Sequence, residues 1–206
     1  MHARDWTETR AAFEEAAIWF AELIPDDAFP WAKPALGDWN VRDLVGHASR
    51  SLITTEQYLV QPAGGVDLAS PAEYYRAVMD SIGDPEAATE RGRQAGEAIG
   101  PHPAFAVSRL VASTLRVVET SSPEALVGTP VGGMRLIDYL ATRTFELVVH
   151  GSDLAVAIGR PLHVPDLAAA DCLRLLGELA LAKGVAGRLL LTATGRPAPY
   201  GGFTVL

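Results

Sequence analysis

The stretch YLATRTFELVVHGSD, residues 139–153, combines a helical and largely apolar composition with a row of ionisable side chains. Apolar residues border that row on both sides, whereas an ordinary surface helix has one apolar stripe and one broad polar face. The row is therefore predicted to point inward, where a carboxylate and an imidazole are costly unless they are paired or bound to a metal. At about 100° per residue, as an α-helix requires, one narrow sector of the helix contains Tyr139, Arg143, Glu146, His150 and Asp153.

Glu146 and His150 stand four residues apart on this helix, so both side chains can reach one ion from a rigid frame. The pair alone is a weak signal, because this spacing is common by chance, and a third ligand from another helix is needed. Among the other histidines, only His47 is predicted to lie mid-helix near an apolar face. Two imidazoles, one carboxylate and an open position are the composition of a catalytic Zn²⁺ site, although other divalent metals accept the same ligands. The sequence therefore predicts a metal site at His47, Glu146 and His150.

Other polar side chains flank these ligands, and the sequence leaves their roles open. Asp43 precedes His47 by one turn, and Arg143 and Asp153 lie on either side of the Glu–His pair. Each could orient a ligand through a hydrogen bond, and each could equally be a helix cap or a surface charge. The candidates for a direct catalytic role are Arg143, Asp153 and Tyr139.

Composition indicates a folded protein and argues against nucleic-acid binding. The 206 residues are 49% hydrophobic and 20% charged, with a net charge of −8. Such a surface repels phosphate backbones, and no Lys/Arg cluster reverses this locally. No apolar run reaches the roughly 18 residues that span a bilayer, and the N-terminus does not have the pattern of a signal peptide. The single cysteine, Cys172, excludes an internal disulfide and is predicted to be a small core residue, so a cytoplasmic location is expected.

Hydrophobic periodicity predicts a bundle of helices joined by turns. Asn40 is placed to cap the second helix, and Gly159 to end the long helix that begins near Leu136. Two short β-prone runs around Gly132–Gly133 predict a hairpin between helices, and the tail from residue 188 is ambiguous between helix and strand. We expect a bundle over residues 1–160 and a C-terminal helical extension, 161–206, packed on it. The predicted helices cover residues 4–24, 41–60, 70–82, 84–99, 102–121, 136–158 and 167–183.

Two segments resemble motifs of a known family. DWNVRDLVGHASR, residues 38–50, and RTFELVVHGSDLAVAIG, residues 143–159, are similar to the two histidine-containing motifs of the mycothiol-dependent maleylpyruvate isomerase family, within the DinB-like metal-binding superfamily. The resemblance spans most of the chain from residue 6 to about 160. It implies an all-α, DinB-like four-helix bundle with additional helices and a short hairpin or strand-like connection. Matched residue by residue, it also implies that His47, Glu146 and His150 are the metal ligands.

The resemblance further implies a divalent metal, most commonly zinc, and mycothiol as a thiol cosubstrate. A metal-bound thiol is held as the thiolate, which can add to an electrophilic double bond or displace a leaving group. The chain resembles a short member of the family, without the separate C-terminal domain that helps to form the active site of the characterised isomerase. S-transfer to another small electrophile is therefore expected at least as much as cis–trans isomerisation, by a monomer or a homodimer.

The residues leave two further functions open. A non-catalytic module, in which a closed metal site joins the helices, would need a fourth protein ligand, with Asp153 and Asp43 as candidates. Hydrolysis by a metal-activated water would use the same ligands on a different substrate. The sequence contains no G-x-S-x-G elbow, no phosphate-binding glycine loop and no dinucleotide fingerprint.

Overall fold

The computed structural model describes residues 4–24, 29–81, 85–197 and 204–206, and these form eight helices and two short antiparallel hairpins. Asp84, part of the predicted start of the fourth helix, lies outside them. The hairpins pair β1 (Pro34–Leu36) with β2 (Trp39–Asn40), and β3 (Leu126–Thr129) with β4 (Gly132–Arg135). The predicted all-α fold with a short strand-like connection is confirmed. The helices are α1 (Trp6–Glu22), α2 (Val41–Leu59), α3 (Pro71–Ser81), α4 (Pro85–Ala98), α5 (Pro103–Glu119), α6 (Leu136–Ile158), α7 (Asp166–Ala182) and α8 (Ala186–Ala193).

Four of the helices form a closed ring around the core. α1 packs against α5 and α6, and α2 packs against the same two helices. α4 covers α2 from outside, while α7 packs on both α1 and α6. Each large side chain that the ring removes from water contributes on the order of 2 kcal/mol. The fully buried side chains of the ring include Phe13, Phe20, Leu44, Leu52, Val118, Leu140 and Leu147.

Both helices that carry the predicted ligands have well-defined ends. The Asn40 side chain accepts a hydrogen bond from the Asp43 backbone N–H at 3.0 Å, and the Asp43 carboxylate accepts one from the Asn40 N–H at 3.1 Å. This reciprocal cap begins α2 as predicted, and it gives Asp43 a structural role. α6 ends at Gly159, whose φ of 74° lies in the left-handed region that glycine adopts without strain.

The predicted hairpin is present, but its turn is not at the glycine pair. Residues 130–131 connect the strands, and Gly132 and Gly133 begin β4. Both positions favour glycine, because a Cβ on Gly133 would lie 2.1 Å from the carbonyl oxygen of Gly65 and Gly132 has a φ of 134°. The hairpin therefore lies directly against the loop that follows α2, where the Asp67 carboxylate accepts a hydrogen bond from the Gly133 N–H at 2.8 Å.

Two segments that the sequence left irregular or ambiguous form regular structure. The proline-rich connection before α2 contains β1 and β2, joined by a tight turn at Gly37, whose φ is 55°. The ambiguous tail contains α8, which packs against α7, while residues 198–203 lie outside the described ranges. No helix in the described ranges has both the length and the apolar character required to cross a membrane.

Candidate metal centre

Three side chains from α2 and α6 meet at one point of the bundle. His47 extends from the second turn of α2, and Glu146 and His150 extend from successive turns of α6. One ring nitrogen of each histidine and one oxygen of Glu146 lie within 4.8 Å of one another. Glu146 Oε2 is 3.3 Å from His150 Nε2, close to the separation of about 3.4 Å between two atoms that bind one tetrahedral ion at about 2.1 Å each. The arrangement fits a divalent metal.

A second carboxylate orients His150. The Nδ1 of His150 lies 3.3 Å from Oδ2 of Asp153, three residues further along α6. When Nδ1 donates its hydrogen to Asp153, the lone pair of the neutral ring is on Nε2, the nitrogen near Glu146. Metal-binding histidines are commonly supported in this way, so Asp153 has a contact suited to positioning a ligand.

The His47 ring contacts the rings of both Trp39 and His150. Its centroid is 4.5 Å from that of Trp39 and 4.7 Å from that of His150. Trp39 is fixed in turn by a hydrogen bond from its Nε1 to the carbonyl oxygen of Thr89 in α4, at 3.0 Å. The Nδ1 of His47 is buried and has no hydrogen-bond partner in the described part of the chain. A buried polar atom without a partner is costly, which fits a site that a bound group completes.

Burial and neighbouring charges give the three groups different protonation states. Burial, aided by the charge of His150, lowers the pKa of His47 to about 4. Burial alone would lower the pKa of His150, but hydrogen bonds to Asp153 and Glu146 outweigh it and raise the pKa to about 9. Burial would raise the pKa of Glu146, but the hydrogen bond with His150 and the charge of Arg143 bring it to about 2. Without a metal, the site at neutral pH contains neutral His47, protonated His150 and ionised Glu146.

Tyr75 of α3 supports the other oxygen of Glu146, a contact that the sequence did not predict. Its hydroxyl donates a hydrogen bond to Glu146 Oε1 at 2.7 Å. Burial, together with the charge of Glu146, raises the pKa of Tyr75 well above its usual value, so the hydroxyl keeps its hydrogen. The tyrosine pair 74–75 in an otherwise polar helix was the only sequence signal for this contact.

Glycines beside both histidines allow neighbouring helices to approach them closely. A Cβ on Gly46 would lie 2.1 Å from the backbone nitrogen of Gly96 in α4, and one on Gly151 would lie 2.4 Å from the Trp19 ring of α1. α4 and α1 therefore pack directly against the turns that carry the predicted ligands. The adjacent glycine and histidine in each motif are a sequence signal that could have indicated this packing.

A cavity of about 770 Å³ adjoins the cluster, and His47 and Glu146 are part of its wall. α2 and α3 supply most of the wall, with additions from α4, α6 and the turn between β3 and β4. Its size suits a small molecule. Beyond His47 and Glu146, the wall is rich in aromatic and cationic side chains, among them Arg50, Tyr58, Tyr74, Tyr75, Arg91 and Arg143.

Two other predicted residues of the α6 row are buried. Arg143 is 8% exposed, and its guanidinium carbon lies 5.3 Å and 4.8 Å from the ring centroids of Tyr74 and Tyr139. Tyr139 is fully buried, donates a hydrogen bond to Thr54 Oγ1 at 2.9 Å, and does not line the cavity. Arg143 therefore reaches the cavity, while Tyr139 lies in the core.

Among the described residues, the other histidines and the cysteine do not join the cluster. His102 and His163 are exposed, and His2 is outside the described residues. Cys172 is buried in α7, and burial raises the pKa of its thiol to about 12. The prediction of a small core residue is confirmed, since a thiol with this pKa stays protonated and unreactive.

Comparison with known proteins adds one match. The family model described as the mycothiol maleylpyruvate isomerase N-terminal domain matches residues 9–155, more than half of the chain, and this range includes all three residues of the cluster. No curated protein matches the chain. No solved structure matches it.

Proposed function

This chain belongs to the mycothiol maleylpyruvate isomerase N-terminal domain family, and we propose that it is a divalent-metal-dependent enzyme that uses a low-molecular-weight thiol on a small electrophile. The metal is Zn²⁺, held by His47, Glu146 and His150, and the thiol is mycothiol. The observation that carries the proposal is the convergence of these three side chains on one point beside a cavity for a small molecule.

The ligand set favours an open coordination position over a closed structural site. Within the described ranges, no fourth His, Cys, Asp or Glu joins the cluster. Asp43 is engaged in the cap of α2, and Asp153 contacts the His150 nitrogen that faces away from Glu146. Because structural zinc sites are closed by four protein ligands, three ligands beside a cavity support a catalytic role.

The proposed reaction uses the chain's residues mainly to orient and to exclude water. A bound divalent ion would lower the pKa of a coordinated thiol, so that a nucleophile is available at neutral pH. Asp153 holds the His150 ring, Tyr75 holds the Glu146 carboxylate, and the cavity wall shields the reacting groups. In S-transfer, the thiol loses its proton, its sulfur bonds to the electrophilic carbon, and the leaving group departs with the electron pair of the broken bond. In isomerisation, the thiol adds to a double bond and is later eliminated.

Metal analysis tests the first half of the proposal. Purified protein reloaded with Zn²⁺ should contain about one equivalent, and His150→Ala should lose most of it, because two ligands hold an ion poorly. Asp43→Asn is the matched control, because Asp43 caps α2 outside the cluster and asparagine can also cap a helix. This variant should bind Zn²⁺ normally. Less than about a tenth of an equivalent in the wild-type protein would overturn the metal site.

A coupling assay tests the second half. Zn²⁺-loaded protein should accelerate the reaction of mycothiol with 1-chloro-2,4-dinitrobenzene or with an activated cis olefin, and His150→Ala should not. Protein that binds Zn²⁺ but neither binds mycothiol nor accelerates any such coupling would overturn the thiol chemistry. In that case, hydrolysis by a metal-bound water is the function that the same ligands would support.

A further inference from the structure

α7 has apolar side chains on two opposite faces, and only one of these faces is covered. Its inner face packs on α1 and α6 and includes Leu175 and Leu179, which are buried. At about 100° per residue, the outer face contains Leu167, Leu173 and Leu181, which are 44%, 66% and 72% exposed. A surface helix normally has one apolar stripe, and a helix that is apolar on both faces is normally covered on both.

The outer leucines alternate with small residues and form one stripe along α7. Ala170 is exposed, and a Cβ on Gly177 would meet nothing within 4 Å. Within the described ranges, the helices that pack on α7 are α1, α3, α6 and α8, and all four leave the leucines exposed. We call this surface the outer stripe, and its residues are Leu167, Ala170, Leu173, Gly177 and Leu181.

The two ends of the outer stripe have opposite charge. At the start of α7, Asp166 is exposed, and Glu15 of α1 accepts a hydrogen bond from the Leu167 N–H at 3.2 Å. Exposed Lys183 follows the last turn of α7, and residues 179–206 contain further arginines but no Asp or Glu. This basic segment is unexpected in a chain whose net charge is −8.

We infer that the outer stripe binds a second copy of this chain, with the two α7 helices antiparallel across a two-fold axis. In a two-fold interface the same patch must be complementary to itself. Antiparallel pairing centred between Leu173 and Gly177 places each Leu173 opposite the gap at Gly177 of the other copy, and each Leu181 opposite Ala170. Large residues thereby face small ones, which is the arrangement that lets packed helices interdigitate.

Charge favours the same arrangement and the same partner. The antiparallel pairing brings the basic end of each α7, at Lys183, to the acidic end of the other, at Asp166, whereas a parallel pairing would place like charges together. Arg174, at the edge of the outer stripe, would lie near its own copy, but its long side chain can extend into solvent. An anionic membrane surface is a poorer occupant, because the net charge of the chain is −8.

Sedimentation of the metal-free protein over a range of concentrations tests the dimer, which is independent of the metal and of the proposed reaction. We expect twice the mass of one chain at high concentration, with a dissociation constant of about 10 μM or lower. Leu173→Glu should weaken the dimer by about 100-fold or more, because it places a charge in the apolar contact. Phe105→Glu is the matched control, since Phe105 of α5 is 62% exposed and lies outside the outer stripe, and it should leave the dimer unchanged.

A charge exchange tests the antiparallel arrangement. Lys183→Glu and Asp166→Lys should each weaken the dimer about fivefold or more, because each ion pair occurs twice in a two-fold dimer. The double variant should return to within about twofold of the wild-type dissociation constant. Circular dichroism checks that every variant folds, which is expected because all three residues are exposed.

Several results would overturn the dimer. A wild-type protein that is a monomer at about 100 μM would do so, as would equal effects of Leu173→Glu and Phe105→Glu. A double variant as weak as the two single variants combined would exclude the antiparallel pairing of charges. Binding of the monomer to vesicles of anionic lipid, abolished by Leu173→Glu, would assign the outer stripe to a membrane surface instead of a second copy.

Discussion

Binding of Zn²⁺ to the metal-free protein is expected to compete with one proton on His150. Hydrogen bonds to Asp153 and Glu146 outweigh burial and raise the pKa of His150 to about 9, whereas burial lowers that of His47 to about 4. At pH 7 the first ring is therefore protonated and the second is neutral. Because a metal ligand must be deprotonated, each bound ion should release about one proton. Two histidines with the ordinary pKa of about 6.5 would together release only about half a proton.

The affinity should depend on the same proton. Below about pH 9, the apparent affinity for Zn²⁺ should fall about tenfold per pH unit, so the dissociation constant should rise about 100-fold between pH 8 and pH 6. Asp153→Asn replaces the ionised acceptor of His150 with a neutral one and should lower the pKa of the ring. Its proton release at pH 7 should therefore be smaller than that of the wild-type protein.

Calorimetry in buffers of different ionisation enthalpy measures both quantities, because the dependence of the observed enthalpy on the buffer gives the number of protons released. Asp43→Asn is the control, since its carboxylate lies in the cap of α2, and it should match the wild-type protein. A release of about half a proton or less at pH 7 would refute the assigned protonation states. So would a dissociation constant that changes by less than about tenfold between pH 8 and pH 6.

Three further perturbations have expected outcomes. The metal-free protein should lose stability as pH rises from about 6.5 towards 9, because the raised pKa of His150 stabilises the fold fully only below the pKa that this histidine has in the unfolded chain. A melting temperature that rises over this pH range would contradict the prediction. The His150→Gln variant should show a smaller dependence of the melting temperature on pH. Gly46→Ala should lower the free energy of unfolding by about 2 kcal/mol or more, because its Cβ would meet backbone atoms of Gly96. In denaturant titrations Gly177→Ala, at an unobstructed helical glycine, should instead stabilise by about 0.5–1 kcal/mol. Tyr75→Phe removes the hydrogen bond to Glu146 and should weaken Zn²⁺ binding about tenfold or more. Tyr58→Phe, in the same cavity wall, should leave Zn²⁺ binding unchanged. Equal Zn²⁺ affinities of the two variants in a competition titration would exclude this role for Tyr75.

The convergence of His47, Glu146 and His150 could be predicted because the sequence signals for it are local. The spacing of Glu146 and His150 fixes their common direction on α6, and the cap at Asn40 fixes the start of α2, so the position of His47 on its helix is also determined. Apolar residues on both sides of the α6 row then indicate an inward direction. Only the packing of α2 against α6 had to be inferred, and the two helices are neighbours in the four-helix ring.

The contacts around these three side chains could not be predicted, because they depend on how distant segments pack. Trp39 reaches His47 from a two-residue strand, and Tyr75 reaches Glu146 from α3. Neither contact has a fixed spacing in sequence. The glycine pair Gly132–Gly133 predicts a turn because glycine often forms one, whereas Gly133 allows the close approach of the loop at Gly65 and Gly132 has a φ of 134°.

Anomalous diffraction from crystals of the Zn²⁺-loaded protein, measured at the zinc absorption edge, tests most directly whether one ion is held by His47, Glu146 and His150. We expect a single strong peak with a nitrogen of each histidine and an oxygen of Glu146 at about 2.0–2.2 Å. A non-protein group should complete the coordination on the side of the cavity. A peak elsewhere, a fourth protein ligand at the ion, or no peak in fully loaded crystals would contradict the proposed centre.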